Sequence, residues 1–170
     1  MATVHFSAVI GIRGVNPYVR VSAPRANSVK RAWRRPLPVR VRINGKPEDA
    51  WRIRMMPAGD GSFYLYLHGE VRKASGTRVG DRVRVAITFD QAYRGGPQHA
   101  MPRWFREALA RDPKALRHWK ALVPSRKKEV LRYLARLRSP DARLRNLARA
   151  LHVLSGGRGR FLGRPWKDGS

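Results

Sequence analysis

Pro38-Val39-Arg40-Val41-Arg42-Ile43-Asn44-Gly45 decides how the first half of this chain is read. Its apolar residues recur at every second position, the period of a strand with one buried face, and Asn44-Gly45 is the dipeptide that a tight hairpin turn with positive φ favours. Trp51-Arg52-Ile53-Arg54-Met55 repeats the alternation, so the two segments are expected to lie side by side across that turn. Farther on, Gly59-Asp60-Gly61 breaks the chain before Phe63, Leu65 and Leu67 on one face and Tyr64, Tyr66 and His68 on the other. Val79-Gly80-Asp81 then leads into a segment in which Val83, Val85, Ile87 and Phe89 face one way. With residues 4–10 and 18–21 these make about six short strands separated by turn residues, the pattern of a small β-barrel. If the apolar residues fill it, Arg40, Arg42, Arg52, Arg54, Arg82 and Arg84 project outward.

Beyond residue 90 the period changes. Residues 91–101, with Gly95-Gly96-Pro97, read as a linker. Pro102 and the pair Asp112-Pro113 are helix-start signals, Pro124-Ser125 opens another helix with Ser125 as its cap, and Ser139-Pro140-Asp141 caps a last one. Val130, Leu131, Leu134 and Leu137 make one apolar stripe, and Leu144, Leu147, Leu151 and Leu154 the next. Residues 102–155 are therefore expected to form a small helical domain. Residues 156–170, rich in glycine and arginine, read as a disordered tail in which Phe161 and Trp166 are available to stack. The expected fold class is a small β-barrel followed by a small all-helical domain.

Charge says most about partners. Lysine and arginine number 37 against 11 aspartates and glutamates, a formal net charge of +26. Both halves share it, with +11 over residues 1–90 and +15 over residues 91–170. A polyanion explains such an excess, and the preference for arginine suits phosphate, because a guanidinium presents a planar fork of donors. On the helices, Arg132 and Arg136 stand one turn apart and Arg145 and Arg149 do the same, a like-charge spacing that opposes the helix unless an anion covers it. Arg126, Lys127 and Lys128 enlarge that field, Arg158 and Arg160 extend it into the tail, and Tyr66 is expected to be exposed among the arginines of the barrel.

Other chemistries lack residues. There is no cysteine, so disulfides, thiolate catalysis and cysteine-based metal sites are excluded. The five histidines do not fall at metal-ligand spacing, no phosphate-binding loop is present, and no acid, base and nucleophile set stands out. The expectation is no metal, no cofactor and no catalysis. No run of apolar residues is long enough to span a membrane, and the start lacks a secretory pattern, which suggests a cytoplasmic location.

Several segments also resemble a known pair of bacterial domains. Phe6-Ser7-Ala8-Val9-Ile10, the 38–45 segment, Val71-Arg72-Lys73-Ala74-Ser75-Gly76 and Val79-Gly80-Asp81-Arg82-Val83 are similar to DUF1905, a small double-split β-barrel. Val123-Pro124-Ser125-Arg126-Lys127-Lys128-Glu129, Tyr133-Leu134 and residues 139–146 resemble the helical domain called bacteriocin-protection or OmpD-associated, and the likeness covers roughly residues 4–155. The resemblance implies the fold and singles out Arg72 and Lys73 as residues shared with the family pattern. This chain is more basic than typical members, which favours a specialised non-enzymatic role binding DNA or RNA, alone or within a ribonucleoprotein. The alternative is a stress or envelope-protection protein working through protein contacts.

Overall fold

A computed structural model describes residues 2–169. The chain divides between Arg94 and Gly95 into two compact units.

The first unit contains strands β1 (Thr3–Val9), β2 (Gly11–Arg13), β3 (Asn16–Val21), β4 (Leu37–Ile43), β5 (Lys46–Pro57), β6 (Phe63–Tyr66) and β7 (Arg82–Phe89), with helix α1 (Ala23–Val29) before β4 and helix α2 (Gly69–Ser75) before β7. The strands form one antiparallel sheet in the order β1-β7-β4-β5-β6-β3-β2, curled into a half-barrel. The expected hairpin forms where the sequence puts it: Ile43 faces Lys46, and Asn44 and Gly45 take φ of 52° and 78°, the conformation of a type I′ turn. The Asn44 side chain also accepts a hydrogen bond from the Arg84 backbone N–H at 2.9 Å, tying the turn to β7. Alternation places Val39, Val41, Ile43, Val83, Val85, Ile87, Phe63 and Leu65 in the core, each large side chain contributing about 1.5–3 kcal/mol by leaving water.

The two helices of this unit are absent from the period-2 reading. Each is seven residues long and buries only Ala26 and Val29, or Val71, too few positions for a helical period to register.

The second unit holds α3 (Arg103–Arg111), α4 (Pro113–Ala121), α5 (Pro124–Leu134), α6 (Pro140–Leu154) and a hairpin of β8 (Gly159–Phe161) and β9 (Arg164–Trp166). Asp112 and Ser139 cap α4 and α6, accepting from the N–H groups of Ala115 and Ala142. Ser125 does not cap α5: Val123 occupies that position, with no side chain able to accept, and Pro124 follows it. The stripe of α6 is also shifted from the one expected. Leu144 is 65% exposed, whereas Asn146, Ala150, Val153 and Leu154 are buried; Leu144 lies two residues, about 200° of helix rotation, from Asn146.

The largest departure is at the C-terminal end. Residues 156–170 were expected to be disordered, but β8 and β9 pair, and Phe161 and Trp166 belong to the core of the helical unit at 4% and 2% exposure. Trp166 packs edge-on to Phe161 and donates its indole N–H to the Phe161 carbonyl at 2.9 Å. Low complexity conceals this because two aromatic residues suffice to anchor a hairpin closed by Leu162-Gly163, both at positive φ. Trp166→Ala is accordingly expected to destabilise the helical unit by about 3–5 kcal/mol. Chemical denaturation of the full chain measures this, and deletion of residues 158–170 should cost at least as much.

Candidate anion-binding surfaces

In the sheet unit, the register of β4 and β5 gathers the arginines as expected, then employs them differently. Arg40 lies directly opposite Arg52, and Arg54 opposite Pro38. Like charges in that arrangement repel, and Asp90, just past the end of β7, resolves the conflict. Its carboxylate is buried, with the residue 3% exposed. Arg52 donates to it from Nε at 2.6 Å and from Nη2 at 3.0 Å, and Arg40 adds a longer bond from Nε at 3.4 Å. The hydrogen bonds from Arg52 hold the Asp90 carboxyl below the usual carboxylate range despite its desolvation, and the same bonds raise the Arg52 guanidinium above its ordinary value.

The other two members of the group are also engaged. Arg42 donates Nε and Nη2 to the Glu48 carbonyl, and Arg54 donates Nη2 to the Arg94 carbonyl at 2.6 Å. Arg40, Arg42, Arg52 and Arg54 therefore do not stand as a set of free outward donors. Their partners are a carboxylate and carbonyls that the sheet carries to them.

Tyr66 is half-buried rather than exposed. Its ring stacks near Tyr64, with centroids 6.0 Å apart, and its hydroxyl accepts from Arg13 at 3.2 Å. Arg72 spends Nε on the Leu67 carbonyl at 3.3 Å, within the turn that opens α2. Lys73, Arg82 and Arg84 are exposed.

The helical unit builds the more concentrated site. A concavity of 580 Å³ is walled by Arg132 and Tyr133 of α5, Arg136 just beyond it, Arg149 of α6, and Arg160 to Arg164 of the hairpin, with Glu129 at its rim. Its floor is ordered. Tyr133 donates its hydroxyl to Asn146 Oδ1 at 2.8 Å, Asn146 Nδ2 donates to the Ala142 carbonyl, and the Phe161 ring meets Tyr133 edge-on. The one carboxylate lining it, Glu129, accepts from Arg164 at 2.7 Å and lies 3.7 Å from Arg126. Arg160 donates one group to the Gly163 carbonyl. Arg132 and Arg149 have no hydrogen bond or ion pair among the described residues. Five guanidiniums thus converge on one hollow whose single acid is already shared between two of the chain's own arginines.

Of the helical residues expected at an anion surface, Arg132, Arg136, Arg149 and Arg160 come together here. Arg126 instead lies over the Trp166 ring at 5.4 Å, Lys127 donates to the Lys120 carbonyl, and Lys128 is half-buried. Arg145 and Arg158 are exposed and do not line the hollow. Arg164 was missed, since its place follows only from the turn at Leu162-Gly163. Among the described residues no group of three histidine, aspartate or glutamate side chains could hold a metal ion, and no helix is long and apolar enough to cross a membrane.

Comparison with known families falls along the same division. Residues 6–87 match the model described as Domain of unknown function (DUF1905), and residues 99–157 match the one described as Bacteriocin-protection, YdeI or OmpD-Associated. No curated protein matches the chain. The α5 and α6 walls of the arginine hollow lie within the second match, and the hairpin lies beyond it.

Proposed function

For a chain that carries a DUF1905 domain followed by a bacteriocin-protection, YdeI or OmpD-associated domain, we propose a protective function exercised by binding an acidic partner protein, without catalysis. The observation that carries this reading is the arginine hollow, placed largely on the helices of the domain whose family description speaks of protection. Arginines with unspent donors at a concave surface suit carboxylates, which they bind in bidentate fashion. Glu129, the hollow's acid, is already engaged by Arg164 and Arg126. A second reading, nucleic-acid binding, is favoured by a different fact: the +26 charge is spread over both units rather than confined to the hollow.

Purification at low salt, with and without nuclease, separates the two. On the first reading the protein keeps a stoichiometric acidic protein whether or not nuclease is added, and added salt releases it by screening the carboxylate–arginine contacts. On the second, a 20-nucleotide probe binds tightly at 50 mM salt and loses roughly three to five decades of affinity by 200 mM, as neutralising about six to ten phosphates requires. A salt-insensitive probe together with no retained protein would overturn both.

A further inference from the structure

A second cavity, of 530 Å³, lies in the sheet unit and is built differently from the arginine hollow. Its aromatic walls are Trp33, Phe89 and Tyr93, of which Trp33 is part-exposed and meets Phe89 edge-on with centroids 5.6 Å apart. Cations frame the rings. Arg35 lies 4.6 Å from the Trp33 centroid and Lys30 lies 5.1 Å from that of Phe89. Neither has a carboxylate partner among the described residues, and no acid lines the cavity. Arg54 and Arg94 close another side, each spending one donor on a backbone carbonyl and keeping the rest of its fork.

The loop that presents Trp33 is strained in a directed way. Ala32 adopts a left-handed φ of 57° although it carries a Cβ, and its N–H donates to Asn27 Oδ1 at 3.1 Å. The Trp33 indole N–H is anchored on the Pro36 carbonyl at 3.3 Å. Strain of this kind persists where surrounding contacts enforce it, and it concentrates at ligand clamps. The volume falls within the range of small-molecule sites, roughly 300–1,000 Å³. A hollow with one part-exposed indole, now covered by the Arg35 guanidinium, with cations that lack carboxylate partners and with no acid selects a ligand that is flat, aromatic and anionic at once, its base replacing Arg35 on the ring as Arg35 turns to phosphate.

We propose that this cavity binds a nucleoside phosphate, with the base against Trp33 and the phosphates on Lys30, Arg35 and Arg94. The inference goes beyond the protective reading and does not depend on it, since the residues belong to the other unit. The same chemistry could be offered by a free nucleotide or by the phosphorylated end of a nucleic-acid strand.

Calorimetry on the full chain tests it with AMP, GMP and ATP, with pyrophosphate as the anion lacking a base, with adenosine as the base lacking charge, and with a 5′-phosphorylated tetranucleotide. Nucleotides are expected to bind about tenfold or more tighter than pyrophosphate, the contribution of one base stacked on an aromatic ring, and about tenfold or more tighter than adenosine, the contribution of a charge-assisted hydrogen bond to phosphate. Trp33→Leu and, separately, Arg35→Gln should each weaken nucleotide binding by about tenfold, while Arg132→Glu in the helical unit leaves it unchanged. Circular dichroism confirms the fold, and Arg35→Gln retains the test if Trp33→Leu fails to fold. Tighter binding of the tetranucleotide than of AMP identifies a strand end as the source, and equal or weaker binding a free nucleotide. Pyrophosphate binding as tightly as nucleotides, or a loss caused by Arg132→Glu and not by Arg35→Gln, overturns the proposal and leaves only diffuse charge attraction.

Discussion

Replacing Arg132 and Arg149 together with glutamate is expected to weaken binding of an acidic probe by about 100-fold at low salt while leaving the melting temperature unchanged. Each arginine removed forfeits about one charge-assisted hydrogen bond, worth roughly 1.5 kcal/mol or a little over tenfold. Neither residue has a hydrogen-bond or ion-pair partner among the described residues, so neither substitution leaves a buried group stranded. The appropriate control is Arg138→Glu with Arg145→Glu, which makes the same change of charge on the same unit outside the hollow. Fluorescence anisotropy with labelled polyglutamate, repeated with a labelled oligonucleotide, reads both pairs. If the control pair weakens binding as much as the hollow pair does, attraction is a property of net charge, and the hollow is not a site.

The opposite outcome is expected in the sheet unit, where Arg52→Leu should cost about 3 kcal/mol because it strips the buried Asp90 carboxylate of its bidentate partner. Arg40 remains at 3.4 Å and only partly compensates. For a unit of this size the melting temperature should fall by roughly 15 °C. Adding Asp90→Asn to Arg52→Leu should recover much of the loss, since a neutral amide costs far less to bury than an unpaired carboxylate. The dependence on pH follows from the depressed Asp90 carboxyl in the native chain. Its stabilisation is present above the unfolded carboxylate value, about pH 4, and is lost as pH falls through the lower folded value. In Arg52→Leu, which no longer depresses that carboxyl, this part of the acid loss should shrink. Denaturant titrations of both chains between neutral pH and pH 2 check the sign. A variant as stable as the parent would mean that the Arg52–Asp90 pair contributes nothing.

These two results separate arginines that are alike in sequence. Arg40, Arg42, Arg52 and Arg54 alternate with buried residues and read as outward-facing ligands, and so they are as far as direction goes. What spends their donors lies elsewhere in the chain: a carboxylate at residue 90, carbonyls at residues 48 and 94. Arg132 and Arg149 are the same residue type on helices, but among the described residues nothing accepts their donors.

The amino-acid order by itself determined the strand alternation, the Asn44-Gly45 hairpin, the caps at Asp112 and Ser139, the basic character of both units and the likeness to the two families later matched over residues 6–87 and 99–157. Each of these rests on neighbours in sequence: periods of two or three to four residues, turn dipeptides, a cap three residues before its donor. Only the tertiary structure decided that Asp90 neutralises the Arg40–Arg52 pair, that Phe161 and Trp166 turn a glycine-rich segment into part of a core, that Leu144 faces outward, and that Arg164 joins Arg132 and Arg149 around one hollow. Whether a guanidinium is spent or available depends on acceptors that sheet register and helix packing deliver, from six residues away for Arg42 but from 38 and 40 for Arg52 and Arg54, and no local period carries that information.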